Sequence, residues 1–146
     1  MLSAQGLEIT FNPGTPIENR VLRGLDLIIP TGQFVTVIGS NGAGKSTFLN
    51  AVSGDLLVDR GSIRIDGQDV TAKCAWQRSD QVARVFQDPM AGTCEALTIE
   101  ENMALAWKRG ARRGFHFSLN RTLRELFREK LSLLKLGLEN RLADRI

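Results

Sequence analysis

An α/β domain is predicted by three observations in this 146-residue chain. A glycine-rich loop, Gly39-Ser40-Asn41-Gly42-Ala43-Gly44-Lys45-Ser46-Thr47, lies between a β-branched run and a helix-like run. Near the N-terminus apolar residues alternate, as they do in half-buried strands. From about Thr98 onward the apolar spacing changes to the helical period. Together these predict a parallel α/β core around the loop, antiparallel β ribbon bracketing it, and the start of a helical subdomain.

The elements follow in order. Leu7, Ile9 and Phe11 alternate in an opening strand, followed by a loop with Asn12-Pro13-Gly14 and Pro16. Val21, Leu25, Leu27 and Ile29 suggest a second strand, closed by Pro30-Thr31-Gly32. Gln33-Phe34-Val35-Thr36-Val37-Ile38 reads as a buried strand, and Lys45 to Ser53 as a helix stopped by Gly54. Gly61 to Val70 reads as two short strands about the Asp66-Gly67 turn. Asp55-Leu56-Leu57-Val58-Asp59 looks like a strand ending in an acid. It follows the helix too closely for a parallel crossover, so it is read as connection. Val82 to Phe86 predicts another buried strand, ending at Gln87-Asp88-Pro89.

Thr98 and Glu101 form a capping box that opens a helix through about Trp107. Lys108, Arg109, Arg112 and Arg113 cluster after it and read as a solvated face. From about Asn120, Leu123, Leu126, Phe127, Leu131 and Leu134 recur at helical spacing, with Gly137 as the stop. Leu138, Leu142 and Ile146 continue a helical spacing to the last residue.

A net charge of +3 is too small to argue for nucleic-acid binding, and none is expected. No apolar run approaches the roughly 18 residues of a membrane span, and no signal peptide precedes the first strand, so a soluble protein is expected. Cys74 and Cys94 lack metal-ligand spacing and are expected as free thiols. His116, the only histidine, reads as a surface or subdomain residue. No repeat, low-complexity tract or linker is evident.

The loop carries the chemistry. It fits G-x-x-x-x-G-K-[ST], in which glycines let backbone N–H groups turn inward around phosphates. The first N–H groups of the following helix have no intrahelical partner, and the helix dipole adds positive charge there. Lys45 is placed to reach the β- and γ-phosphates, the Ser46 hydroxyl to sit on Mg²⁺, and Thr47 to donate to the α-phosphate. A nucleoside triphosphate with magnesium is the expected ligand.

In this order the segments resemble the ATP-binding subunit of an ABC transporter, over essentially the whole chain. The loop is similar to that family's Walker A, and the run from Gly61 to Gly67 to its hairpin after the first helix. Val85-Phe86-Gln87-Asp88-Pro89 resembles its Q-loop, and Leu97-Thr98-Ile99-Glu100-Glu101-Asn102 the start of its helical subdomain. The resemblance implies a P-loop NTPase core with an antiparallel β subdomain over residues 1–90. Over 91–146 it implies the Q-loop segment and part of the α-helical subdomain. It implies ATP and Mg²⁺ at residues 39–47, with Phe11 stacking on adenine. Gln87 would contact Mg²⁺ and the attacking water, and couple them to the helical subdomain. It also implies a homodimer of ATPase subunits on the inner face of a membrane, bound to permease subunits. An importer would add a substrate-binding protein. Amino-acid-type uptake systems are the nearest in pattern.

The family's Leu-Ser-Gly-Gly-Gln signature, Walker B Asp-Glu and switch histidine do not occur here. The sequence stops about where the signature is expected to begin, so an incomplete ABC ATPase domain is expected, binding ATP but hydrolysing it little alone. Three other readings remain open. These are a soluble ABC-type ATPase acting on the ribosome or DNA, a small-molecule kinase with Arg109 to Arg113 as a phosphate-clamping lid, and a product that only binds nucleotide or a partner. A GTPase is disfavoured because no Asn-Lys-x-Asp occurs.

Overall fold

The computed structural model describes residues 1–110 and 119–145. The readings placed on Arg112, Arg113, His116 and Ile146 lie outside the described residues. The chain divides into two units, Met1–Ala83 and Arg84–Ile146.

In the first unit, β1 (Leu2–Phe11) is the shared strand of a four-stranded antiparallel sheet in the order β2-β1-β3-β4. β2 (Asn19–Ile29) pairs along one edge of β1, from Leu2↔Ile29 to Phe11↔Asn19. β3 (Arg60–Ile65) pairs along the other, from Leu2↔Ile65 to Glu8↔Arg60. Asp66 and Gly67 turn β3 into β4 (Gln68–Asp69), both with positive φ, as a two-residue hairpin of this hand requires. The alternation of β1 places Leu7 and Ile9 in a core completed by Leu22, Ile63, Val70 and two residues of α1 (Lys45–Ser53), Phe48 and Ala51.

One glycine sets how closely β3 and β1 approach. Gly61 has φ +92°, and a Cβ there would overlap the carbonyl oxygens of Gln5 and Gly6. Arg78 sets the far end of α1. Its guanidinium is fully buried and donates to the carbonyls of Ala51 (2.7 Å), Val52 (2.8 Å), Lys73 (2.9 Å) and Thr71 (3.3 Å). Burial draws its pKa down, but an arginine keeps its proton in any folded protein. Its positive charge lies against the last carbonyls of α1, where the helix dipole is negative.

Two predicted buried strands do not appear. Residues 33–38 and 82–86 carry no ladder, and Phe34, Ile38 and Val85 are 95%, 89% and 96% exposed. A strand exists only where a neighbouring strand answers its N–H and C=O groups, and among the described residues no strand pairs with these runs. The sheet seen here is accordingly antiparallel throughout. The 55–59 connection is a connection, as expected.

The second unit holds α2 (Ile99–Trp107) and α3 (Arg121–Ser132), packed through Ala104, Phe127, Leu131 and Leu142. Thr98 and Glu101 form the expected capping box, with Thr98 N–H donating to the Glu101 carboxylate at 2.8 Å. Ile99 and Glu100 N–H donate to the Asp144 and Leu142 carbonyls, so the N-terminus of α2 is answered from within its own unit. Asn120 caps α3. α3 ends at Ser132, five residues before the predicted stop at Gly137, and Leu134 stands outside it, exposed. Leu134 N–H donates to the Leu131 carbonyl at 3.0 Å, a turn-type bond that does not continue the α-helical ladder. Residues 138–140 form a single 3-10 turn in place of the predicted continuing helix. Cys74 and Cys94 are free thiols. Among the described residues no helix is long and apolar enough to cross a membrane.

Two predictions follow from these junctions. Gly61→Ala must give up either its left-handed backbone or the β1–β3 approach, and is expected to destabilise the chain by roughly 3 kcal/mol, read from the denaturant midpoint. The hydrogen bonds from Thr98 hold the Glu101 carboxyl below its ordinary value of 4.5. Stabilisation from the carboxylate is therefore complete above pH 4.5 and fades as pH falls through the lowered folded value. Amide protection factors in the first turn of α2 should drop on acidification through that range; Thr98→Ala, which loses the hydroxyl but keeps the backbone N–H, should remove only the smaller part of that dependence, and Glu101→Gln all of it.

Candidate functional site

The loop 39–47 joins the exposed 33–38 run to α1 and is shaped by its own backbone. Ala43 N–H donates to the Ser40 carbonyl at 3.3 Å, closing a turn, and Gly42 and Gly44 take positive φ of 82° and 87°. Gly44 is the N-cap of α1, and Phe48 N–H donates to its carbonyl at 2.8 Å to begin the helix. This leaves the first N–H groups of α1 without intrahelical acceptors. No side chain caps them and no acidic residue occupies the first turn. Gly44 also rests on β2: a Cβ there would come within 3.1 Å of the Val21 side chain and 3.4 Å of its carbonyl. The glycine is needed both for its backbone conformation and for that contact.

Lys45 is held by the loop it belongs to. Its ammonium donates to the carbonyls of Gly39 (2.7 Å) and Ser40 (2.6 Å). An ammonium has three N–H donors, so one remains for an incoming ligand. Ser46 is exposed, and Thr47 is half-buried. Ser40, Asn41, Gly42 and Ala43 form the exposed rim of the loop. Free N–H groups, a helix dipole and a tethered cation, with no competing carboxylate in the first turn, make a site for an anion. Two of these features, the N–H groups and the helix dipole, are spread along backbone, which suits a chain of phosphates better than a single point charge. Among the described residues no group of three or more His, Cys, Asp or Glu side chains could hold a metal ion. The exposed Ser46 hydroxyl is a side-chain oxygen on the loop that could take part in holding a divalent ion.

Phe11 closes β1. It continues the row of Leu7 and Ile9, which face the core shared with α1, but runs past that core and is 39% exposed. Gly44 touches β2 at Val21 and Leu22, and Leu22 pairs with Ile9. Phe11 is therefore two strand residues, about 7 Å, beyond the point where the loop meets the sheet. Phe11 and the loop lie in the first unit. Gln87 lies in the second, exposed, just before the 3-10 turn Pro89–Gly92, whose N-terminus is capped by the Asp88 carboxylate accepting from Met90 N–H.

Sequence reasoning passed over two residues that hold this arrangement. Arg78 fastens the far end of α1, and no motif or spacing in the sequence marks it. Asp59 was read only as connection, yet its carboxylate accepts from Thr10 N–H at 2.7 Å, next to Phe11.

Comparisons with known proteins agree with the geometry. A family model described as ABC transporter matches residues 22–144. A tyrosine transport ATP-binding protein of Clostridioides difficile (strain R20291) is 43% identical over 112 residues, covering 75% of this chain and 44% of that protein. An energy-coupling factor transporter ATP-binding protein, EcfA2, of Acetivibrio thermocellus is 39% identical over 88 residues, covering 60% of this chain and 31% of its own length. The chain thus spans less than half the length of either relative. Among solved structures, the dimeric post-hydrolysis state of the ATP-binding cassette MJ0796 bound to ADP and Pi superimposes with a TM-score of 0.78. The identity is 25%, over 99% of this chain and 61% of that one.

Gly44→Ala should weaken binding of magnesium triphosphate at least tenfold while the chain stays folded, because the strain falls on the loop and its seat on Val21. Titration calorimetry with the inorganic anion checks this directly.

Proposed function

The chain belongs to the ABC transporter family, and on that premise we propose that it is the nucleotide-holding part of an ATPase subunit that powers transport across a membrane. The observation that carries the proposal is the tethered Lys45 above the uncapped N-terminus of α1. We assign residues 39–47 to the phosphates of ATP, Ser46 to Mg²⁺ and Phe11 to the adenine ring. Gln87 is assigned to the metal and the attacking water, and to coupling the site to the helical segment that follows. Residues 1–90 then form the nucleotide-handling part, and 91–146 the Q-loop segment with part of a helical subdomain.

What these residues contribute to phosphoryl transfer is positioning and charge neutralisation, which supply most of its catalysis. Backbone N–H groups fix the phosphate chain. The one free donor of Lys45 meets charge on the terminal phosphates, where negative charge lies along the path of transfer. A magnesium ion held with the help of Ser46 and Gln87 would supply further neutralisation of phosphate charge.

We read the system as a bacterial uptake system for amino-acid-like solutes; the similarity to a tyrosine transport ATP-binding protein supports its part in transport. In that role the subunit pairs with a second copy and sits at the inner face of the membrane on permease subunits, with a substrate-binding protein delivering solute. The dimeric form of MJ0796 supports the pairing.

Lys45→Ala tests the central assignment. It removes the tethered cation and is expected to lower Mg·ATP affinity at least tenfold, measured by titration calorimetry, with little change in the melting temperature. Undiminished affinity would remove the phosphate assignment.

A further inference from the structure

We infer that Asp59 is a positioning residue for the base end of the nucleotide site: it clamps the end of β1 so that Phe11 presents its ring to the base. The inference rests on the reading of Phe11 as the base-stacking residue. The β1–β3 ladder runs only as far as Glu8↔Arg60, and Thr10 lies beyond it on the same edge of β1. Left to the ladder, the Thr10 N–H on that edge would face no backbone partner. Asp59 grips β1 at two points. Its backbone N–H donates to the Glu8 carbonyl at 2.9 Å, and its carboxylate accepts from Thr10 N–H at 2.7 Å. The side chain thus stands in for the carbonyl that one more residue of β3 would have offered.

The other edge of the same short stretch is irregular. β1 pairs Ile9 with Leu22 and then Thr10 with Arg20, so Val21 is an extra residue on β2 at this point. A bulge loosens the ladder locally. Immediately after Phe11 the chain turns through Asn12 at φ +52°. Phe11 is thereby held between a bulged strand on one side, a turn beyond it and the Asp59 carboxylate behind it. Of these, only the carboxylate is a single side-chain contact that can be deleted without altering the backbone. Upstream, Leu7 and Ile9 are buried and hold the remainder of β1 in place, so loss of the carboxylate frees the strand end and not the sheet.

The effect is selective for the base. Phosphate is held by loop 39–47, which touches β2 at Val21 and Leu22 and does not use Asp59. Releasing the strand end must therefore weaken ATP without weakening a ligand that has phosphates and no base.

Mg·ATP and magnesium tripolyphosphate are titrated into the wild-type chain and into Phe11→Ala, Asp59→Ala, Asp59→Glu and Asp59→Asn, with thermal melts alongside. Phe11→Ala and Asp59→Ala should each reduce ATP affinity about threefold to tenfold and leave tripolyphosphate affinity unchanged. Asp59→Asn retains an acceptor oxygen at the same reach and should restore ATP binding to near wild type. Asp59→Glu keeps the charge but displaces it by a methylene; it should show the selective loss, and carries the test if the alanine variant does not fold. A selective loss in Phe11→Ala with none in Asp59→Ala or Asp59→Glu overturns the inference and leaves the Phe11 reading intact. Equal losses for both ligands in the Asp59 variants overturn it as well. Unchanged ATP affinity in Phe11→Ala overturns the stacking reading on which it depends.

Discussion

Everything the phosphate loop can do depends on how α1 is fastened at its two ends. At the first, Gly44 brings backbone against Val21 of β2, where an added methyl group would come within 3.1 Å of the Val21 side chain. At the second, the buried Arg78 guanidinium gathers the carbonyls of Ala51 and Val52 at the end of the helix with those of Thr71 and Lys73. One contact is steric and the other electrostatic, and both exploit helix ends, where backbone groups lack partners. The helix cannot slide or tilt without breaking one of them. Its N–H groups are therefore presented in a fixed direction, which is what binding a chain of phosphates requires.

The same logic explains why the N-termini of α1 and α2 are used differently. α2 is saturated: Thr98, Glu101 and the carbonyls of Leu142 and Asp144 answer its first turn. α1 carries glycine where α2 carries threonine, and no acid in its first turn. A helix end that is finished internally serves stability, and one left unfinished serves a ligand.

Local signals were legible in sequence, and partners distant along the chain were not. The loop 39–47, the Asp66-Gly67 hairpin, the Gly54 stop and the Thr98–Glu101 box each depend on residues within a few positions of one another, and each stands where expected. Residues 33–38 and 82–86 have the composition of buried strands, but composition cannot say whether a neighbouring strand answers their backbone. Leu134 keeps the spacing of a helix although α3 ends at Ser132, because apolar spacing does not report where the hydrogen-bond ladder stops. Arg78 and Asp59 were passed over for a related reason. Charged residues in polar stretches read as solvated, and only the fold shows that Arg78 lies under a helix end and Asp59 against the end of a strand.

The two carbonyl bonds made by Lys45 have a kinetic consequence. They stabilise the curled loop by an internal cation before any nucleotide arrives, so no separate ordering step has to precede capture. On the proposed reading, encounter with nucleotide would resemble docking onto a pre-shaped loop, with an association rate set by diffusion and long-range attraction to a cationic loop. Under that regime, nucleotides that differ only in their base arrive at similar rates. Discrimination between them resides in how long each one stays.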